Sequence, residues 1–165
     1  MPDNELLCIS KNRMNIYYDP IASHAATHFH DSPNLKTLVI NFLQDTVLNN
    51  AKEHLEHDFV RIIGKSDLVE TTKEDDIVYA KRLNRDNYSR FILNKPPSDS
   101  SFATIILYKQ NDFYVLYSAY IGFNVPSFPT APTATEDSTP FWKTHALAWG
   151  TQQIQTGTET KYWPW

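Results

Sequence analysis

Two apolar segments near the middle of the sequence place the strongest constraint on its fold. Residues 102–108 and 113–121 are rich in aromatic and β-branched side chains, and residues 109–112 between them are polar. Strand-forming side chains on both sides of a short polar turn are typical of a β-hairpin. We therefore predict a central hairpin, to which the other strands of a sheet are added.

One amphipathic helix is predicted ahead of the hairpin. Ser32 can cap this helix, and Pro33 suits its first position because proline lacks an N–H group. Apolar residues then recur at helical spacing at Leu35, Leu38, Val39, Phe42, Leu43 and Val47. Residues 76–81 and 88–93 are predicted as further strands. The predicted fold class is α+β, with an N-terminal amphipathic helix packed on a mostly antiparallel sheet that contains the central hairpin.

Length and composition predict one domain over residues 1–165. The single cysteine, Cys8, excludes a disulfide within the chain. The first residues lack the pattern of a signal peptide, and no run approaches the ~18 apolar residues of a membrane helix. We therefore expect a cytoplasmic protein without membrane contact. Residues 126–140, which include four prolines, are predicted to form a mobile surface loop.

Charge is unevenly distributed along the chain. The formal net charge is −4, yet residues 81–95 contain five basic side chains and only one acidic side chain, Asp86. The acidic total disfavours a general nucleic-acid-binding domain, whereas the local basic band can bind phosphate. A second interpretation stays open, in which this band is only the solvated face of a strand and its turn.

The basic band lies among residue types that suit RNA cleavage without a metal. That reaction needs a base for the 2′-hydroxyl, an acid for the leaving 5′-oxygen and cations for the phosphorane. Histidine suits the proton transfers, and the planar fork of arginine pairs with phosphate oxygens. The predicted catalytic residues are His30, Arg82, Arg90, Ser101, Thr104 and His145. The predicted RNA-binding residues are Tyr79, Lys81, Arg85 and Tyr88, with the tyrosines stacking on bases.

The order of these residues resembles that of the ribonuclease superfamily that includes barnase, EndoU, colicin nucleases and RelE. The similarity covers residues 28–121. It implies an α+β fold, metal-independent cleavage of RNA, and a bacterial toxin whose partner is an antitoxin or immunity protein. It also implies an acid or base role for His30. Arg82 and Arg90 would bind phosphate, and Ser101 or Thr104 would supply an auxiliary hydrogen bond.

A second resemblance covers most of the chain. It rests on the segments YSRF, SAYIG, PSFP, FWKTHAL and WG, which begin at residues 88, 118, 126, 141 and 149. This pattern is similar to that of a group of uncharacterised bacterial proteins. The resemblance implies no particular activity.

Three histidines raise the alternative of a metal-dependent hydrolase. His24 and His28 have the spacing of one helix face, and His28 and His30 have the spacing of one strand face. The competing interpretation is a loop with exposed histidines. Because the chain has no second cysteine and no HExxH motif, we expect no metal and no cofactor.

Two further alternatives concern the second half of the chain. His145 either points into a site floored by Trp142 or belongs to a short amphipathic helix whose aromatic residues are core. A different class of function is a noncatalytic protein-binding module, such as an immunity or regulatory factor. That module would bind its partner through residues 126–140 and the exposed aromatic side chains.

Overall fold

The computed structural model describes residues 4–165. The chain divides into two compact units. Unit 1 contains the residues up to Gly64 together with Ser100–Phe123, and unit 2 contains Lys65–Asp99 and Asn124–Trp165. Each unit has a sheet and a set of buried residues of its own. The single domain expected over residues 1–165 stays a prediction.

The strands and helices are numbered in chain order. The strands are β1 (Glu5–Ile9), β2 (Asn15–Tyr18), β3 (Lys52–Asp58), β4 (Gly64–Ser66), β5 (Leu68–Glu70), β6 (Ile77–Lys81), β7 (Tyr88–Ile92), β8 (Ser98–Ser100), β9 (Phe102–Gln110), β10 (Phe113–Ile121) and β11 (His145–Ala148). The helices are α1 (His24–Asp31), α2 (Pro33–Gln44) and α3 (Ser138–Trp142).

The predicted α+β fold class is wrong. Strands hold 37% of the residues and helices only 15%, and the described part of the chain forms three sheets and three helices. The prediction of an N-terminal helix is also wrong, because two strands come first and the first helix begins at His24. The error arises because several strands carry few apolar side chains, so their sequences show no apolar alternation.

Unit 1 is built on a five-stranded sheet in the order β1-β2-β10-β9-β3. All neighbouring pairs are antiparallel except β2 and β10, which are parallel. The central hairpin is present as β9 and β10, which turn at Asn111 and Asp112. Residues of α1 and α2 pack with one face of this sheet in a single apolar cluster, which includes Phe29, Val39, Leu43, Ile105, Leu107, Tyr114 and Leu116.

Helix α2 begins at the predicted proline but ends three residues before Val47. Its buried residues, Leu35, Val39 and Leu43, follow the predicted apolar stripe. Ser32, the predicted cap, makes no hydrogen bond through its side chain. Val47 lies beyond the helix and is half exposed.

Unit 2 contains a four-stranded sheet in the order β5-β11-β7-β6. Beyond β6, Thr160 forms an isolated bridge with Tyr79, with hydrogen bonds in both directions. One small cluster on this sheet includes Val69, Ile92, Ala146 and Ala148, and another includes Val78, Ala80 and Phe91. A separate two-stranded sheet pairs β4 with β8.

The segment 126–140 is anchored at its start. Phe128 is buried and stacks on Trp142, with 3.8 Å between the ring centroids. The Trp142 indole nitrogen donates a hydrogen bond to the Pro126 carbonyl oxygen at 3.0 Å. Within residues 4–165 no helix has the length and apolar character needed to cross a membrane.

Candidate functional site

The unit 1 sheet has an outer face, opposite the apolar cluster, that carries titratable and aromatic side chains. The outer face is formed by alternate residues of three strands, namely Lys52, His54, Glu56, Thr104, Ile106, Tyr108, Tyr117 and Tyr120. The side chains from β3 are all exposed, and so are Tyr108 and Tyr117. A ligand in solvent therefore has direct access to acid–base groups on this face.

Three outer-face residues lie in one row across the sheet. Glu56 of β3 is the register partner of Thr104 in β9, and Thr104 is the register partner of Tyr120 in β10. Because neighbouring strands lie about 4.8 Å apart, the backbones of Glu56 and Tyr120 are separated by roughly 10 Å. The ring of His28 adjoins the Tyr120 end of this row, with 6.2 Å between the two ring centroids, although α1 itself packs with the apolar cluster. A carboxylate and an imidazole thus lie on opposite sides of Thr104.

Thr104 and Tyr120 form the middle of this row. The Thr104 side chain is fully buried, and its hydroxyl donates to the Gly122 carbonyl oxygen at 2.9 Å. Burial raises the pKa of the Tyr120 phenol, the hydrogen bond with Thr104 opposes this shift, and the Glu56 charge adds to it. The phenol therefore keeps its proton well above neutral pH and is a hydrogen-bond donor there.

His54 lies two residues before Glu56 on the outer face. Burial lowers the pKa of His54, the Lys52 charge lowers it further, and the Glu56 carboxylate opposes both effects. The imidazole is therefore mainly neutral at pH 7 and has one nitrogen that can accept a proton.

A β-bulge in β10 brings two tyrosines onto the outer face. The register passes from Leu116 opposite Leu107 directly to Ser118 opposite Ile106, so Tyr117 is the extra residue. Its ring makes an edge contact with that of Tyr108, at 5.6 Å between centroids. Two more groups flank this pair. The Lys52 Nζ lies 5.6 Å from the centre of the Tyr108 ring, and the His24 ring lies 6.0 Å from that of Tyr117.

The predicted catalytic residues are divided between the two units. His30, Ser101 and Thr104 belong to unit 1, and Arg82, Arg90 and His145 belong to unit 2. Within unit 1, His30 has a highly exposed side chain at the end of α1, and its Nδ1 lies 3.5 Å from an Asp31 carboxylate oxygen. A hydrogen bond with Ser101 is the main cause that lowers the pKa of the Asp58 carboxyl.

The two predicted phosphate-binding arginines make their contacts on different faces of the unit 2 sheet. Arg82 donates from Nε to the Ser89 hydroxyl at 2.9 Å, whereas Arg90 donates from Nη1 to the Thr71 hydroxyl at 2.8 Å and to the His145 carbonyl oxygen at 3.0 Å. Ser89 and Arg90 are consecutive in β7, so their side chains point to opposite faces.

Burial further limits both arginines as phosphate ligands. Arg90 is only 8% exposed. Burial, and then the charge of Arg85, lowers the pKa of the Arg82 guanidinium to about 10. Its guanidinium carbon also lies 5.3 Å from the centre of the Phe128 ring. Much of each side chain is therefore occupied by packing within unit 2.

Three of the predicted RNA-binding residues, Tyr79, Lys81 and Tyr88, lie close together, but Tyr79 is only 5% exposed and its ring is not available to stack on a base. Tyr79 pairs with Arg90, and Lys81 pairs with Tyr88, so Tyr79, Lys81 and Tyr88 share one face of β6 and β7. The Lys81 Nζ lies 5.3 Å from the centre of the Tyr88 ring. Arg85 follows in the exposed turn after β6.

His145 opens a strand and is not part of a helix. Its ring stacks on that of Phe141, with 4.1 Å between centroids and 5° between planes. Its Nδ1 lies 3.2 Å from the Phe141 carbonyl oxygen, and its Nε2 lies 4.0 Å from a Glu70 carboxylate oxygen. These contacts fix the imidazole at the start of β11.

The three histidines of the metal hypothesis all lie on α1. His24 and His28 approach two tyrosines of β10, as their four-residue spacing on one helix face allows. Residues 4–165 contain no group of three or more His, Cys, Asp or Glu side chains that could hold a metal ion.

Sequence reasoning missed Glu56, His54 and Tyr120. β3 has the sequence KEHLEHD, in which the inward positions Glu53 and His57 are polar, so the strand shows almost no apolar alternation. The Glu53 carboxylate accepts the backbone N–H groups of Asn49 and Asn50, and His57 stacks on Phe42 at 4.5 Å. The useful signal would have been the run of charged and polar residues at every second position from Lys52 to Asp58.

No family model matches this chain, and no curated protein or solved structure matches it either.

Proposed function

We propose that unit 1 cleaves single-stranded RNA on the outer face of its sheet without a metal ion. The observation that supports this proposal is the row formed by Glu56, Thr104, Tyr120 and His28. Displacement at phosphorus needs a proton acceptor and a proton donor on opposite sides of the phosphate. Glu56 and His28 lie at the two ends of this row.

In the proposed reaction, the Glu56 carboxylate takes the proton from the ribose 2′-hydroxyl. The 2′-oxygen attacks phosphorus, the bond from phosphorus to the 5′-oxygen breaks, and protonated His28 supplies a proton to that oxygen. The products are a 2′,3′-cyclic phosphate and a free 5′-hydroxyl. Tyr120 turns its single hydroxyl proton from Thr104 to a phosphoryl oxygen that gains charge in the transition state.

The remaining outer-face residues supply binding. Tyr108 and Tyr117 offer exposed rings on which unpaired bases can stack. Lys52 places a cation beside the Tyr108 ring. The proposed substrate is RNA, as expected from the sequence, and the proposed place of action is the cytoplasm. An antitoxin or immunity protein would inhibit such an enzyme by covering the outer face.

The test is cleavage of a labelled single-stranded RNA by the full chain in the presence of a chelator. Glu56→Gln and His28→Gln are each expected to reduce the rate about 10²–10⁴-fold, the usual contribution of general acid–base catalysis. Asp58→Asn is the matched control, because Asp58 is an exposed carboxylate on the same strand, outside the row. DNA of the same sequence should stay intact because it lacks the 2′-hydroxyl.

His30→Gln separates the proposal from the prediction based on sequence. If this variant lost cleavage and His28→Gln stayed fully active, His30 would be the residue that transfers the proton. Intact RNA after incubation with folded wild-type protein would reject cleavage altogether and leave the noncatalytic binding module.

A further inference from the structure

The last residues of the chain build an aromatic surface on unit 2. The bridge between Thr160 and Tyr79 holds this segment beside β6. The rings of Trp163 and Trp165 lie 6.0 Å and 5.3 Å from that of Tyr79, and 5.1 Å from each other. Because Lys81 and Tyr88 share the face of Tyr79, the aromatic cluster continues into a lysine–tyrosine pair.

This surface exposes large aromatic side chains even though the segment is docked. Trp163 is 45% exposed, although its ring packs against those of Tyr79 and Trp165. An exposed ring held in place by neighbouring rings loses little side-chain freedom when a planar group stacks on it. Such an arrangement suits the binding of flat ligands.

One cation lies beside these residues, because the Lys81 Nζ is 5.3 Å from the centre of the Tyr88 ring. Two further exposed cations, Arg85 and Lys161, are close to the surface residues in sequence. Arg82 and Arg90 are largely buried and contribute little accessible positive charge. Planar rings next to positive side chains fit a strand of unpaired bases joined by phosphates, because bases stack and phosphates pair with cations.

We infer that Lys81, Tyr88 and Trp163 form a binding surface for single-stranded RNA on unit 2, with the buried Tyr79 ring supporting Trp163. Stacking on Trp163 and phosphate contact by Lys81 are its two components. A duplex presents its phosphates but not the faces of its bases, so it satisfies only the second component. This surface needs no cleavage chemistry and is independent of the row on unit 1.

The test uses a fluorescent oligouridine with 2′-O-methyl groups, which cannot be cleaved through the 2′-oxygen. Fluorescence anisotropy with the full chain should show saturable binding at low salt. Trp163→Ala is expected to weaken the affinity about tenfold, within the range for the loss of one base–aromatic stack, and Trp163→Phe should restore most of it. Lys81→Gln should reduce the salt dependence of log affinity by about 0.7, the value for one phosphate contact on a single strand.

Trp149→Ala is the matched control. Trp149 is 40% exposed, close to Trp163, but its ring packs on Phe91, which points to the opposite face of β7. The inference is overturned if the wild-type chain does not bind, if Trp163→Ala binds normally, or if Trp149→Ala weakens binding equally. Equal affinity for duplex RNA or for a proline-rich peptide would also overturn it. RNA cleavage is not the readout, so failure of the proposed catalytic activity would leave these results unaffected.

Discussion

Thr104 donates its hydroxyl hydrogen to the carbonyl oxygen of Gly122, which follows the last residue of β10, at 2.9 Å. The donor is fully buried, so its removal leaves an acceptor without this partner inside the protein. Thr104→Val keeps the shape of the side chain and should lower the free energy of unfolding by about 1–2 kcal/mol. Urea denaturation followed by circular dichroism measures the change, and an unaltered midpoint would contradict the assigned hydrogen bond.

Arg90 and Arg85 should respond differently to truncation, although both belong to the basic band. Arg90 holds Thr71 and the start of β11 through two hydrogen bonds, and little of it reaches solvent. Arg90→Ala should destabilise the protein by about 1–3 kcal/mol, because buried acceptors lose a charged donor. Arg85→Ala changes an exposed turn residue and should stay within about 0.5 kcal/mol of wild type. Equal thermal midpoints for the two variants would refute this difference.

Cys8 should be unreactive in the folded protein. Burial raises the pKa of its thiol to about 11, so at pH 8 only about one molecule in a thousand carries the reactive thiolate. Labelling with a thiol-specific disulfide reagent should be slow and should accelerate tenfold for each pH unit up to about 11. Unfolding in urea should make it fast. Rapid stoichiometric labelling of the native protein at pH 8 would show that Cys8 is accessible.

The same pKa shift makes stability depend on pH. The folded-state pKa of Cys8 is raised above its ordinary value, so the folded protein holds this proton more tightly than the unfolded chain does. The contribution to stability is complete below the ordinary pKa and declines as pH rises toward about 11. Cys8→Ala should lack this component of the decline when unfolding is measured at several pH values.

Proteolysis should begin in the second part of the segment 126–140. Phe128 and Pro129 are buried, whereas Thr135, Glu136 and Asp137 are exposed. A glutamyl endopeptidase should therefore cut first after Glu136, and Phe128→Ala should accelerate this cut by releasing the start of the segment. First cuts at glutamates outside this segment would place the most accessible backbone elsewhere.

The elements that could be predicted from sequence are those in which local pattern and burial agree. β9 and β10 carry long apolar runs around a polar turn, and α2 has an apolar stripe that begins at a proline. β3 could not be predicted, because Glu53 is buried by hydrogen bonds to backbone N–H groups and His57 by stacking. Neither type of burial produces a pattern of apolar residues in the sequence.

The candidate site was harder to predict because it depends on contacts between distant parts of the chain. Thr104 was selected by residue type alone, and its neighbours Glu56 and Tyr120 come from strands 48 and 16 residues away. The arginines of the basic band are close in sequence, but alternation along β7 separates their side chains. Register, which sequence does not report directly, decides which polar groups meet.

The bulge at Tyr117 constrains the number of residues in β10. The extra residue shifts the inward–outward alternation of side chains by one position. Tyr114 and Leu116 before the bulge and Ala119 after it therefore all point into the core. Deleting Tyr117 itself would restore simple alternation and leave Ala119 inward and Tyr120 outward, whereas deleting a single residue after the bulge would reverse the facing of every residue beyond it. Homologous chains that keep this function should therefore tolerate substitutions in β10 far better than insertions or deletions of a single residue.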